Sequence, residues 1–360
     1  DDLRSSLRRI FERGVVDAFP NVEDLRNRLS GREGLWLRVI SQSGGYVLGA
    51  TLYLGATGSI AVRKWEFRDP SEGSASATMH AVLEADEGLW FGEWRRAWSS
   101  VTEAILPDDL IGRIRAGDEI RELVCVADSA LQAFPFGALI CGGRSVLDVF
   151  RVVVVPSLGV LGAQGDRHEA VETDRAIIFL ADWIKDGGGD DGLAEVAPII
   201  RDSGGRRQLI ESAESVIDSL RRPGEYELVY IAGHGAATGG GLGHAIWLGD
   251  RPLTAAEALT LEGPPYVVFA SCWVGGMSTA GGREPLGLPM ACMLRGAKMV
   301  VAGIAPIGSE ATARVMAHFL QGLRDGVSIP EALRAAQHDF LQEDPSASLA
   351  EWAGLQVLGR

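Results

Sequence analysis

With 360 residues, 46% of them apolar, the chain is long enough to bury a large core and too hydrophobic for wholesale disorder. Its 34 basic and 48 acidic residues give a formal net charge of −14, which argues against direct nucleic-acid binding and against docking on an anionic membrane. No run approaches the roughly 18 to 20 apolar residues that a bilayer-spanning helix needs, and the first residues carry no signal-like apolar segment.

The first residue is Asp1 rather than Met, so we expect a chain excised from a longer protein, with any recognition module outside it. From Leu3 to Leu29, apolar residues three and four apart (Leu3, Leu7, Ile10, then Val22, Leu25, Leu29) predict one or two Arg-rich helices. Four runs follow, Gly34 to Ile40, Tyr46 to Leu54, Ser59 to Phe67 and Ala77 to Ala85, separated by glycine-rich breaks. They read as an antiparallel meander. Residues 1–105 thus form an N-terminal helical and antiparallel β support region, without a cluster of nucleophile and base. Trp90, Trp94 and Trp98 recur at helical spacing and read as helix packing on a sheet.

Residues 106–360 alternate strand and helix. Glu122 to Ala127 is a strand with Asp128 at its end, Phe150 to Val155 a second, and Arg175 to Ala181 a third. The stretch Lys185 to Gly192 reads as an exposed flexible loop, and Arg206 to Arg221 as one helix. Tyr226 to Ala232 and Tyr266 to Ser271 are strands, with a hairpin arm at Ala245 to Leu248 and a capping box at Thr254 and Glu257 between them. Then come a helix at Leu286 to Leu294, a strand at Met299 to Ile304, and a helix from Ser309 to Asp325. A box at Ser328 and Glu331 opens the next helix, and Trp352 to Leu358 reads as a final edge strand. The pattern predicts an α/β fold, a mostly parallel sheet covered on both faces.

Two of these strands end on reactive side chains. Gly233-His234-Gly235 follows the first, and Ser271-Cys272-Trp273-Val274-Gly275-Gly276 the second. Loops at the carboxyl edge of a parallel sheet hold side chains against rigid neighbours, which is where such folds place chemistry. Nucleophilic catalysis by a thiol needs a nearby base and donors for the developing oxyanion. His234 and Cys272 supply the first two, and the backbone N–H groups of Gly235 and Cys272 the third. His234 either acts on the thiol or protonates the leaving amine. Asp128, read as sharing that rim, is a candidate for selecting a basic side chain in the substrate, and Trp273 for lining the pocket. Cys125 and Cys292 sit in apolar runs and suit a reducing cytosol better than a disulfide scaffold.

Other chemistries lack their parts. Gly239-Gly240-Gly241 has no strand directly before it and no Lys-Ser or Lys-Thr after it, so a phosphate loop is not encoded. No G-x-S-x-G elbow occurs, and His234, His244 and Cys272 contain no close ligand pair for zinc. No cofactor or metal is expected.

The ordered set of segments resembles a known family. Residues Asp128 to Leu139, Val155-Pro156-Ser157-Leu158, Gly233-His234-Gly235, Leu253 to Glu257, Ala270-Ser271-Cys272, Gly287-Leu288, Gly296 to Ala302 and Trp352-Ala353-Gly354 are similar, in order, to the CHAT domain, a bacterial caspase-like peptidase domain often attached to tetratricopeptide repeats. The resemblance implies a caspase-like three-layer sandwich in which His234 and Cys272 form the dyad of a cysteine endopeptidase. It also implies a protein substrate, activation by a sensor or repeat-containing module, and a cytoplasmic setting in bacterial defence. The family's small polar residue two places after the cysteine is Val274 here. The alternative is a catalytically inactive caspase-like interaction platform.

Overall fold

A computed structural model describes residues 22–29, 31–84, 86–92, 94–117, 119–127, 131, 133–157, 170–180, 202, 205–210, 212–222, 224–236, 244–277, 285–307 and 309–359. Helix α1 (Val22–Leu29) leads into the antiparallel strands β1 (Glu33–Ser43), β2 (Tyr46–Leu54) and β3 (Ile60–Phe67). Where a fourth strand was expected, α2 (Ser74–Leu83) forms instead. Ala, Met and Leu favour helix, and the segment buries Met79, His80 and Val82. Short α3 (Gly88–Phe91), then α4 (Arg95–Ile105) and α5 (Asp108–Ala116), carry the tryptophans inward. Trp98 is fully buried edge-on to Phe134, and Trp94 lies against Trp352 while its indole N–H donates to the Ala347 carbonyl at 2.8 Å.

Next come β4 (Arg121–Ala127), the small hairpin β5 (Ile140–Cys141) and β6 (Arg144–Ser145), β7 (Phe150–Val155), β8 (Ala176–Leu180) and β9 (Arg206–Leu209). The stretch expected as one helix from Arg206 splits, because its first residues pair with β8 and only α6 (Ala213–Leu220) is helical. After β10 (Leu228–Ala232), the short strands β11 (Gly235–Ala236), β12 (Ala245–Trp247) and β13 (Pro252–Thr254) make a separate small sheet. Helix α7 (Ala255–Ala258), β14 (Tyr266–Ala270), α8 (Leu288–Leu294), β15 (Met299–Gly303), α9 (Ser309–Arg324), α10 (Ile329–Glu343), α11 (Leu349–Trp352) and β16 (Leu355–Gly359) complete the described chain. Neither predicted capping box closes fully. The Thr254 side chain accepts from the Glu257 N–H while the Glu257 carboxylate turns to Arg251. Ser328 makes no side-chain cap, and Glu331 pairs with Arg334. A full box closes instead at Ser348 and Glu351, ahead of α11.

The main sheet has the order β3-β2-β1-β4-β7-β16-β15-β14-β10-β8-β9. It is mostly parallel, and β1 joins the N-terminal strands to β4. The runs YVVFA and LVYIA of β14 and β10 are β-branched and apolar on both faces, as strands covered on both sides must be. The tail is not an edge strand. Every residue of β16 is buried between β7 and β15, and its polar Gln356 donates to the Phe134 carbonyl at 2.6 Å while its Oε1 has no hydrogen-bond partner among the described residues. β16 runs parallel to β7 but antiparallel to β15. Strands β4 and β7 therefore point opposite to β15, β14, β10 and β8. Among the described residues no helix is long and apolar enough to cross a membrane.

Candidate active site

β10 and β14 are neighbours in parallel register, with Ala232 opposite Ala270. His234 and Cys272 each lie two residues beyond that rung, on strands about 4.8 Å apart. The contact between the two turns is closer still. A Cβ placed on Gly235 would lie 1.7 Å from the Cys272 carbonyl oxygen and 2.7 Å from Cγ2 of the buried Val274, so only glycine lets the turns meet. The Trp247 N–H donates to the His234 carbonyl at 2.8 Å, and Gly235 pairs with Ile246 on the next rung. In an antiparallel ladder alternate residues bond alternate sides, so the Gly235 N–H faces away from β12.

Cys272 is the one cysteine of four that is not buried, and His234 is exposed. Burial pushes the Cys125 thiol well above its ordinary value and that of Cys292 up to about 12, which makes both inert. The Ile307 N–H points at Cys272 Sγ from 3.4 Å, a donor suited to a thiolate, and the Ile307 carbonyl lies 3.9 Å from the same sulfur. Around the nucleophile the Ser271 N–H donates to Phe269, that of Trp273 to Ala305 and that of Gly275 to Gly303, whereas those of Cys272 and Val274 make no such bond among the described residues. Trp273 has φ 60, the only non-glycine residue at positive φ among the described residues. A bulky aromatic is costly there, and strain of this kind concentrates at functional turns.

Beneath this turn sits His244, which the sequence offered only as a poor zinc ligand. A Cβ on Gly276 would lie 2.8 Å from its Cε1. Its Nδ1 is buried with no hydrogen-bond partner among the described residues, although the backbone of Trp273 and Gly276 faces the ring without giving that atom a well-aligned bond. Burial lowers its pKa below the ordinary 6.5, and the backbone contacts offset this only in part. The unfolded chain thus binds the proton more readily, and the contribution of this group to stability is present above about pH 6.5 and lost as pH falls. Thermal melting between about pH 7 and pH 5.5 is expected to show a loss of stability that His244→Gln reduces; identical slopes for the two chains would refute this.

Asp128 lies outside the described residues, as do Lys185 to Gly192 and Gly239 to Gly243. The strand that precedes Asp128, β4, runs opposite to β14, so its carboxyl end at Ala127 is at the other edge of the sheet from Ala270. Among the described residues no group of three or more His, Cys, Asp or Glu could hold a metal ion. Sequence reading passed over Ile307 and Trp247, since both reach the site by backbone bonds to residues distant in sequence, which leave no local pattern.

The CHAT domain family model matches residues 94–360. The chain belongs to the CHAT domain family. No curated protein sequence matches it. Two structures of the Saccharomyces cerevisiae separase–securin complex are similar to this CHAT chain, with TM-scores of 0.58 and 0.61 at 10% identity. In the first, the match covers 94% of this chain but only 31% of the separase chain. The Arg-specific cysteine proteinase gingipain R is similar over 79% of this chain and 67% of its own, at 12% identity and a TM-score of 0.48. The fold of this CHAT chain is thus caspase-like, with a large mostly parallel sheet between helical layers, and an N-terminal helical and antiparallel β region joined to it.

Proposed function

We propose that this CHAT chain is a cysteine endopeptidase in which His234 and Cys272 form the catalytic dyad. The observation that carries the reading is the β10–β14 register, which sets both residues the same distance past one rung, with Gly235 against the Cys272 carbonyl. The Cys272 thiolate attacks the carbonyl carbon of a peptide bond, and the new oxyanion takes hydrogen bonds from the N–H groups of Gly235 and Cys272. His234 holds the proton lost by the thiol and passes it to the leaving amine as the C–N bond breaks. A thioester remains. Water, deprotonated by His234, then releases the acid and restores the thiol. The Ile307 N–H stabilises the thiolate between turnovers. Residues 1–105 serve as a support region for this site, and Trp273 lines it. A sensor or repeat-containing module controls the activity, in the cytoplasm and in bacterial defence.

An iodoacetamide probe at neutral pH tests the activated thiol. The intact chain is expected to label first at Cys272, and Cys272→Ala to lose that fast phase because Cys125, Cys141 and Cys292 are buried. Equal labelling of the two chains would favour a catalytically inactive platform.

A further inference from the structure

Among the described residues, Trp247 is a large aromatic left 46% exposed. Its position is set by His234. The Trp247 N–H bonds to the His234 carbonyl at 2.8 Å, and the following rungs pair Gly235 with Ile246 and Ala236 with Ala245. This makes His234 and Trp247 direct cross-strand partners. Such partners project to the same face, with Cβ atoms about 4.5–5.5 Å apart. The indole and the imidazole therefore stand side by side, both open to solvent.

Their order across the molecule also matters. On one side of His234, Gly235 abuts Cys272. On the other, the chain beyond Trp247 leads away from β14: Gly249 lies beside Ile210 at the end of β9, and the Asp250 carboxylate accepts from the Ala213 N–H at the start of α6. His234 is thus between the thiol and the indole. The charges that follow Trp247 are mutually satisfied, since Arg251 bonds both Glu214 and Glu257. Among the described residues that follow His234 and Trp247, the indole is the group this surface leaves open to a ligand.

We propose that Trp247 forms the subsite for the residue just after the cleaved bond, and that this residue is bulky and apolar or aromatic. The inference rests on the peptidase reading above. In that chemistry the imidazole protonates the leaving nitrogen, so that nitrogen sits at His234 when the bond breaks. The side chain two bonds away, on the Cα of the leaving residue, then falls on the side of His234 remote from the thiol. There it meets the indole face, which stacks on aromatic rings and covers aliphatic ones.

The test uses the full chain and fluorogenic peptides that share one acyl-side sequence and carry Phe, Leu, Ser or Gly after the cleaved bond. The intact chain is expected to favour Phe and Leu over Gly by about tenfold in kcat/KM, the discrimination an apolar pocket can supply. In Trp247→Ala the ratio should fall to near one, and Trp247→Phe should recover most of it. Thermal melting of both variants shows that they fold, and a ratio needs no comparison of absolute rates. An active intact chain with a flat profile, or a Trp247→Ala chain that keeps the ratio, overturns the subsite and leaves the dyad standing. An intact chain that neither labels at Cys272 nor cleaves any of the peptides overturns both.

Discussion

Replacing His234 by alanine is expected to lower kcat/KM for peptide hydrolysis by about 10³-fold or more, and Cys272→Ala to bring it to background. The informative chain is the double variant. Thiol and imidazole share one proton, and neither accelerates the reaction without the other. Residues that act as a unit are strongly non-additive, so His234→Ala with Cys272→Ala should be no slower than Cys272→Ala alone. Multiplying losses would mean that the two act separately, and the shared rung of β10 and β14 would lose its meaning. Fold is not at stake in either single variant, because His234 is exposed and Cys272 is not in the core. Unchanged melting temperatures check that.

Glu33→Ala is expected to be the most damaging single change outside the core, costing about 3–5 kcal/mol. Glu33 is 1% exposed at the start of β1, the strand that ties the N-terminal region to β4. Its carboxylate meets the Arg113 Nε at 3.1 Å in an ion pair whose N–H is poorly aligned, the Arg121 guanidinium at 3.7 Å, and the Tyr53 hydroxyl, which donates to it. Alanine would take the buried carboxylate from a largely buried guanidinium and the acceptor from a buried phenol, whereas Glu33→Gln keeps an acceptor for Tyr53 and should cost less. Urea unfolding reads both, and a Glu33→Ala midpoint equal to that of the intact chain would refute the assignment. The same cluster fixes an alkaline limit. Burial first, then the Glu33 hydrogen bond, raise the Tyr53 pKa above its ordinary 10.0. The folded chain then holds a proton that the unfolded chain releases, so stability is full below about pH 10 and falls above it.

Much of the site was legible because its signals are local. Glycines beside His234 and small residues before Cys272, each ending an apolar run, mark the close of a buried strand, and parallel pairing of consecutive strands brings such ends together. The features that escaped depend on partners far away in sequence. LQVLG reads as an edge strand until β7 and β15 cover it on both sides. Arg206 to Leu209 is polar enough to pass for the first turn of a helix, and only pairing with β8 makes it extended. β4 and β14 look equivalent as apolar strands, but the direction of β4 depends on β16, which reverses the sense of the sheet half-way along. In α2, alternation in Ala77, Met79 and Ala81 competed with helix propensity, and packing sided with propensity.

The place of β16 also sets how the molecule is assembled. Among the described residues it is the last strand in chain order, yet it lies in the middle of the sheet. During synthesis the main-sheet strands up to β7 and those from β8 to β15 emerge as two half-sheets, each with a bare hydrophobic edge, and the sheet stays divided until residues 355–359 have left the ribosome. Open edges of this kind invite pairing with the wrong chain. A ribosome paused shortly before that strand thus holds both halves of the sheet without the strand that pairs them, and both inner edges stay open to wrong pairing for as long as the pause lasts.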